Sequence, residues 1–202
     1  QNTRFDFDPS IRAIFGIGVL NQLGDLACEL AGPHALLVTD SGLIESGLAD
    51  KAQRVLHTAG LTTTLFSAVD ENPTTQHVDA GVEYTLAHKP IDLIVALGGG
   101  SAMDCAKGIN FVLTNGNRME DYHGYGKAAK AMLPSIGIPT TAGTGSEAQS
   151  YALIARAETG EKMACGDRKA RFRTAILDPE LILSAPLQVR AAAGIDAIAH
   201  AI

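Results

Sequence analysis

With 22 acidic against 16 basic residues in a chain of 202, and 46% apolar side chains, the sequence can bury a sizeable core but offers no basic stripe for a nucleic-acid backbone. Three cysteines, Cys28, Cys105 and Cys165, are odd in number and lack CxxC or CxxH spacing, which argues against a disulfide framework and a zinc knuckle. No apolar run approaches the roughly 20 residues of a membrane span, and QNTRFDFDPSIR lacks the basic and apolar regions of a secretory signal, so a cytoplasmic protein acting on small molecules is expected, without membrane or nucleic-acid partners.

Short apolar runs alternate with helix-length amphipathic segments, which predicts an α/β fold of parallel strands joined by crossover helices. The predicted strands are ALLVT (35–39), TTTLF (62–66), DLIVAL (92–97), SIGIPT (135–140) and TAILD (174–178). The central ones are nearly all apolar, as strands covered on both faces should be. Between them, GLADKAQRVLHTAG (47–60) and TQHVDAGVEYTLAHK (75–89) place apolar residues three and four apart, the spacing of helices that cover a sheet. One ends at a glycine and the other before a proline. After Pro186 the texture changes to LQVRAAAGIDAIAHAI, Ala-rich and helical, which puts a domain boundary near residues 184–186: an α/β domain over 1–185 and the beginning of a helical one over 186–202. Ala201 and Ile202 fall inside a helical apolar pattern with no capping glycine, so that second domain is expected to be incomplete within these residues.

Two glycine-rich corners stand out. In LGGGSAMDCAK an apolar strand meets Gly98, Gly99 and Gly100 and resumes as a helix, with Ser101 as the expected N-cap and Asp104 its acidic partner three residues on. Alone, such a corner is as readily architectural. Three successive residues without Cβ also let backbone N–H groups approach a phosphate, which a helix N-terminus favours. The segment is neither GxGxxG nor GxxxxGK[ST]. A second corner, IPTTAGTGSE (138–147), leaves another strand into hydroxyl and glycine residues. Ligands of open parallel sheets settle outside the carboxyl ends of the strands, so the two corners could line one crevice. Asp40, closing LLVTD, could accept both hydroxyls of an adenosine ribose and repel a 2′-phosphate, although a strand-end aspartate is commonly a turn or cap residue. Near the end, GIDAIAHAI places Asp196 and His200 four apart on one helix face, close enough to share an ion, although a catalytic ion wants three protein ligands or more. The other histidines show no ligand-like spacing.

Taken together and in this order, GGGSAMDCAK, PTTAGTGSE, ILDPEL and GIDAIAHAI, with Asp40 and the NPT at 72–74, resemble the iron-containing (group III) alcohol dehydrogenase family, and the resemblance runs over essentially all 202 residues. It implies a Rossmann-like NAD-binding domain followed by a helical metal-binding domain that is cut short here. It further implies that Gly98, Gly99, Gly100 and Ser101 hold the pyrophosphate, that Thr140, Thr141 and Thr144 line the nicotinamide side, that Asp40 favours NAD over NADP, and that Asn72 and Lys162 are further cofactor contacts. Asp196 and His200 become the first two ligands of a divalent metal, Fe²⁺ by the family's habit or Zn²⁺. The family's two later histidine ligands fall outside the chain. The implied reaction is hydride transfer between an alcohol or aldehyde and NAD, with a homodimer as the default assembly. Two alternatives stay open: a truncated, non-catalytic nucleotide-binding fragment, and a glycerol dehydrogenase-like or dehydroquinate synthase-like relative, against which GTGSE argues.

Overall fold

A computed structural model describes residues 11–202. Residues 1–10, which hold most of the stretch read for a secretory signal, lie outside the described residues. The chain runs β1 (Arg12–Phe15), α1 (Leu23–Leu30), β2 (His34–Val38), α2 (Ser41–Glu45), α3 (Leu48–Thr58), β3 (Thr62–Phe66), α4 (Thr75–Leu86), β4 (Leu93–Gly98) and α5 (Gly100–Asn115). It continues through β5 (Gly124–Tyr125), β6 (Ser135–Pro139), β7 (Tyr151–Ala155), β8 (Lys162–Gly166), β9 (Thr174–Leu177), α6 (Pro179–Leu183) and α7 (Leu187–Ala201). The five predicted strands are present as β2, β3, β4, β6 and β9. The two predicted helices are α3, bounded where Gly47 and Gly60 take positive φ and leave the helical path, and α4, which stops at Leu86, ahead of Pro90.

Six strands form one parallel sheet in the order β1-β9-β6-β4-β2-β3. Every residue of β2, β4 and β6 is buried, because helices cover both faces. Successive side chains serve opposite cores. Leu36, Val38, Ile94 and Ala96 meet Met103, Ile109 and Phe111 of α5 on one face. Ala35, Leu37, Leu93, Val95 and Leu97 meet Leu23, Leu26 and Leu56 of α1 and α3 on the other.

Four strands escape the sequence reading: β1, β5, and the antiparallel pair β7 and β8, which with β5 makes a second, three-stranded sheet. The apolar side of that pair joins the α5 core through Ile154, Met163 and Cys165. Beyond β9 the chain is helical. No residue of α7 is fully buried, and Leu187, Ile195 and Ile198 are exposed. Among the described residues no helix is long and apolar enough to cross a membrane.

The cysteines divide by burial. Cys105 and Cys165 sit in the α5 core, where loss of solvation pushes their thiols up to about 12 and about 11, whereas Cys28 is exposed. At pH 8 a chromogenic thiol reagent is therefore expected to label Cys28 alone in the folded protein and all three cysteines after unfolding. Labelling of a second thiol without unfolding would contradict this packing.

Candidate functional site

The sheet reverses its direction of growth between β2 and β4: from β2 the chain steps outward to β3, and from β4 it steps the other way to β6 and β9. At such a switch point the loops diverge and leave a crevice at the carboxyl ends of the strands. Here it measures about 840 Å³ and is lined by Asp40 beyond β2, Gly99, Gly100 and Ser101 beyond β4, and Thr140 and Thr141 beyond β6. That volume lies within the range of small-molecule sites, roughly 300–1,000 Å³. Six of the residues expected to hold a cofactor thus line one crevice.

The floor is the start of α5. Gly99 is its N-cap, and no side chain caps it, so the amides of the first turn are left to whatever occupies the crevice. The expectation that Ser101 is the cap, with Asp104 its partner, is not met. The helix begins at Gly100, which leaves Ser101 inside the first turn; its hydroxyl instead accepts from the Asn72 N–H at 3.2 Å. Asp104 is buried and turned towards Lys107, 3.5 Å away. Glycine is required at this corner. Gly98 has φ +153°, and a Cβ there would stand 2.6 Å from Ala102 Cβ. A Cβ on Gly100 would lie 3.0 Å from Thr144 and 3.2 Å from the Ser146 hydroxyl, so loop and helix touch across it.

Asp40 does two things. Its Oδ1 accepts from the Leu43 N–H at 3.1 Å and caps the short α2, while the residue also lines the crevice. Glu45, Asp70 and Glu71 line it too, so this wall is acidic. Asn72, with φ 55°, accepts from Lys162 Nζ at 3.0 Å through its side chain, so Asn72, Ser101 and Lys162 form one hydrogen-bonded line from α5 to β8. The backbone behind Asn72 is pinned by the Ala155 N–H donating to Pro73 O at 2.9 Å. Tyr151 packs on Tyr125, ring centres 5.7 Å apart, and is a strand packing residue.

Asp196 and His200 face the second corner. His200 Nδ1 lies 3.0 Å from Gly143 O, an oxygen that can accept but not donate, so in the neutral ring Nδ1 carries the proton and Nε2 the lone pair. Asp196 Oδ2 is 3.8 Å from the same ring nitrogen. A metal-binding histidine commonly donates its other N–H to a carbonyl, and the Asp and His donors suit Fe²⁺ or Zn²⁺. They supply two ligands. Among the described residues no group of three or more His, Cys, Asp or Glu side chains comes together to hold an ion.

Two features of the site leave no local signal in the sequence. Of the acidic company of Asp40, Glu45 is near in sequence, but Asp70 and Glu71 come from a loop thirty residues away. Lys107 is buried, its Nζ donating to Ser146 O at 2.7 Å and Tyr151 O at 2.8 Å, where a lysine is ordinarily expected in solvent.

Known proteins share this arrangement. The profile described as iron-containing alcohol dehydrogenase matches residues 9–179. Alcohol dehydrogenase 4 of Schizosaccharomyces pombe is 39% identical over 189 residues, 94% of this chain and 44% of the relative. NAD-dependent methanol dehydrogenase of Bacillus methanolicus is 36% identical over 200 residues, 99% of this chain and 52% of the relative. A crystal structure of 1,3-propanediol oxidoreductase superposes with a TM-score of 0.91 at 33% identity, covering 98% of this chain and 52% of that one. The chain thus spans about half the length of the curated relatives it matches. Its fold, its glycine corners and the profile match together place the chain in the iron-containing alcohol dehydrogenase family.

Proposed function

We propose that residues 1–185 form the NAD-binding part of a metal-dependent alcohol dehydrogenase, and that residues 186–202 begin its helical, metal-binding part. The observation that carries the reading is the uncapped start of α5 at the switch-point crevice, where free amides and the helix dipole face a space of dinucleotide size. A relative named for its NAD dependence supports the choice of cofactor.

In this reading Gly98, Gly99, Gly100 and Ser101 receive the diphosphate on backbone N–H groups. Asp40 receives the adenosine ribose hydroxyls and, with its acidic neighbours, repels a 2′-phosphate. Asn72 and Lys162 close the rim beside Ser101, and Thr140, Thr141 and Thr144 hold the nicotinamide half. Asp196 and His200 would give a divalent ion two of its ligands; when bound, that ion supplies Lewis-acid polarisation of the alcohol or aldehyde oxygen. The Gly143 carbonyl fixes the ring of His200 and so presents Nε2. The role of these residues is to hold the reacting carbon against the nicotinamide and to keep water away.

Titration of the chain with NADH, followed by nicotinamide fluorescence, is expected to show saturable binding that is stronger than for NADPH. Absence of binding, or stronger binding of NADPH, would overturn the reading. Asp40→Ser keeps an oxygen to cap α2 while removing the charge. It is expected to narrow the NADH preference by about tenfold, or ~1.4 kcal/mol, without reversing it, because three acidic neighbours remain. An unchanged ratio of the two dissociation constants would remove Asp40 from the site. Alcohol oxidation with added Fe²⁺ or Zn²⁺ is assayed on this chain and on one of the relatives' full length.

A further inference from the structure

Lys107 is about two turns into α5 and 2% exposed, facing neither solvent nor the crevice. Its ammonium donates to the carbonyls of Ser146 and Tyr151, lies 3.5 Å from Asp104 and sits 5.2 Å over the ring of Phe172. The loop it grips leads from Thr140 at the crevice to β7. The loop's other hydrogen bonds are largely internal: the amides of Ala148 and Gln149 donate to Gly145 O, and that of Ser146 donates to Thr144 Oγ1. Thr144 and Ser146 in turn press on Gly100, the first residue of the helix.

We propose that Lys107 is a positioning residue of the dinucleotide site, whose buried amino group holds loop 141–150 down on the first turn of α5 and so sets the distance between the diphosphate floor and the threonine wall. The inference rests on the dinucleotide reading above but concerns the loop, which can be followed without any ligand. A lysine is suited to the task because the donors on one atom at the end of a long stem can serve two carbonyls at once while its charge faces a carboxylate.

Burial pushes the Lys107 ammonium down to about 8, against opposition from Asp104 on its own helix and Glu147 in the loop, the charged groups that face it. Opening the loop would return the ammonium to water and to its ordinary range near 10.4. The open form then takes up a proton, so raising the pH from about 8 towards 10 disfavours opening. The protection of the loop against amide exchange, corrected for the intrinsic rate, should therefore be flat below pH 8 and rise severalfold by pH 9.5.

The test combines amide exchange with NADH titration on the wild type, Lys107→Met and Lys107→Gln. Lys107→Met, which keeps the length and loses every donor, is expected to lower protection across residues 142–149 and NADH affinity about tenfold each, while amides in the middle of α5 exchange as before; Lys107→Gln recovers part of both. Wild-type loop protection and wild-type affinity in Lys107→Met would overturn the proposal. If Lys107→Met does not fold, Lys107→Gln stands in its place, and wild-type loop protection together with wild-type NADH affinity in that variant overturns the proposal equally. A wild type that binds no NADH at all refutes the dinucleotide reading, and the exchange data still decide for or against Lys107.

Discussion

Replacing Asp178 by alanine is expected to lower the melting temperature by roughly 5–15 °C. Asp178 is completely buried, and its carboxylate accepts from three backbone amides: Gly18 at 3.1 Å, Leu20 at 3.2 Å and Glu180 at 3.1 Å. The third caps α6, where Pro179 occupies the first turn and, having no N–H, needs no acceptor. The first two hold the turn that follows β1 against the end of β9. Alanine leaves buried N–H groups without acceptors, which costs about 1–3 kcal/mol each, in addition to about 1 kcal/mol for the cap. With partial relaxation, ~2–4 kcal/mol is expected, and in a domain of this size each kcal/mol moves the midpoint by about 2–4 °C. Calorimetry checks this directly. Asp178→Asn, which keeps one acceptor oxygen, should fall between alanine and wild type, and a melt of Asp178→Ala within 2 °C of wild type would show that the amides find other partners.

Gly98→Ala should abolish measurable NADH binding while the protein still folds. The positive φ of Gly98 costs a residue with a side chain about 1–3 kcal/mol, and relieving a 2.6 Å contact with Ala102 costs a comparable amount. The contact cannot be eased by rotating a side chain, because both atoms are Cβ. The start of α5 has to shift, and with it the amides of the first turn. Since the Asp40 carboxylate lies 3.3 Å from the added carbon, both walls of the crevice are disturbed. The measurement is a pair of curves, a melt without cofactor and an NADH titration. Gly116→Ala, a positive-φ glycine with open space around it at the far end of α5, is the control: it should lose stability from backbone strain and retain cofactor binding. Undiminished binding by Gly98→Ala would mean that the first turn of α5 does not carry the diphosphate.

The buried strands were legible because burial on both faces demands an unbroken apolar run, as in Leu93–Gly98, and the glycine corners were legible because few side chains tolerate such bends. The hairpin of β7 and β8 was not. Its two strands alternate between core and surface, and the polar stretch between them, RAETGE, reads as an ordinary loop. Ser101 misled because a serine after glycines has the composition of a cap, whereas the start of a helix is set by where the backbone first turns, here at Gly99. Lys107 and Asp178 show a different limit. A charged residue announces a solvated face unless its partners are known, and these partners lie 39 and 44 residues away for Lys107 and as far as 160 for Asp178.

The pairing of β1 with β9 also bears on how the protein is made. Among the described residues β1 pairs with no other strand of the sheet, and the donors that lock the turn after it reach an acceptor about 160 residues downstream. At about 5–20 residues per second, roughly 8–30 s of synthesis separate the two. During that interval the β2–β3–β4–β6 layer can assemble, but the newborn chain must keep its first segment out of wrong registers until its mate emerges. The closing stitch is the last one sewn.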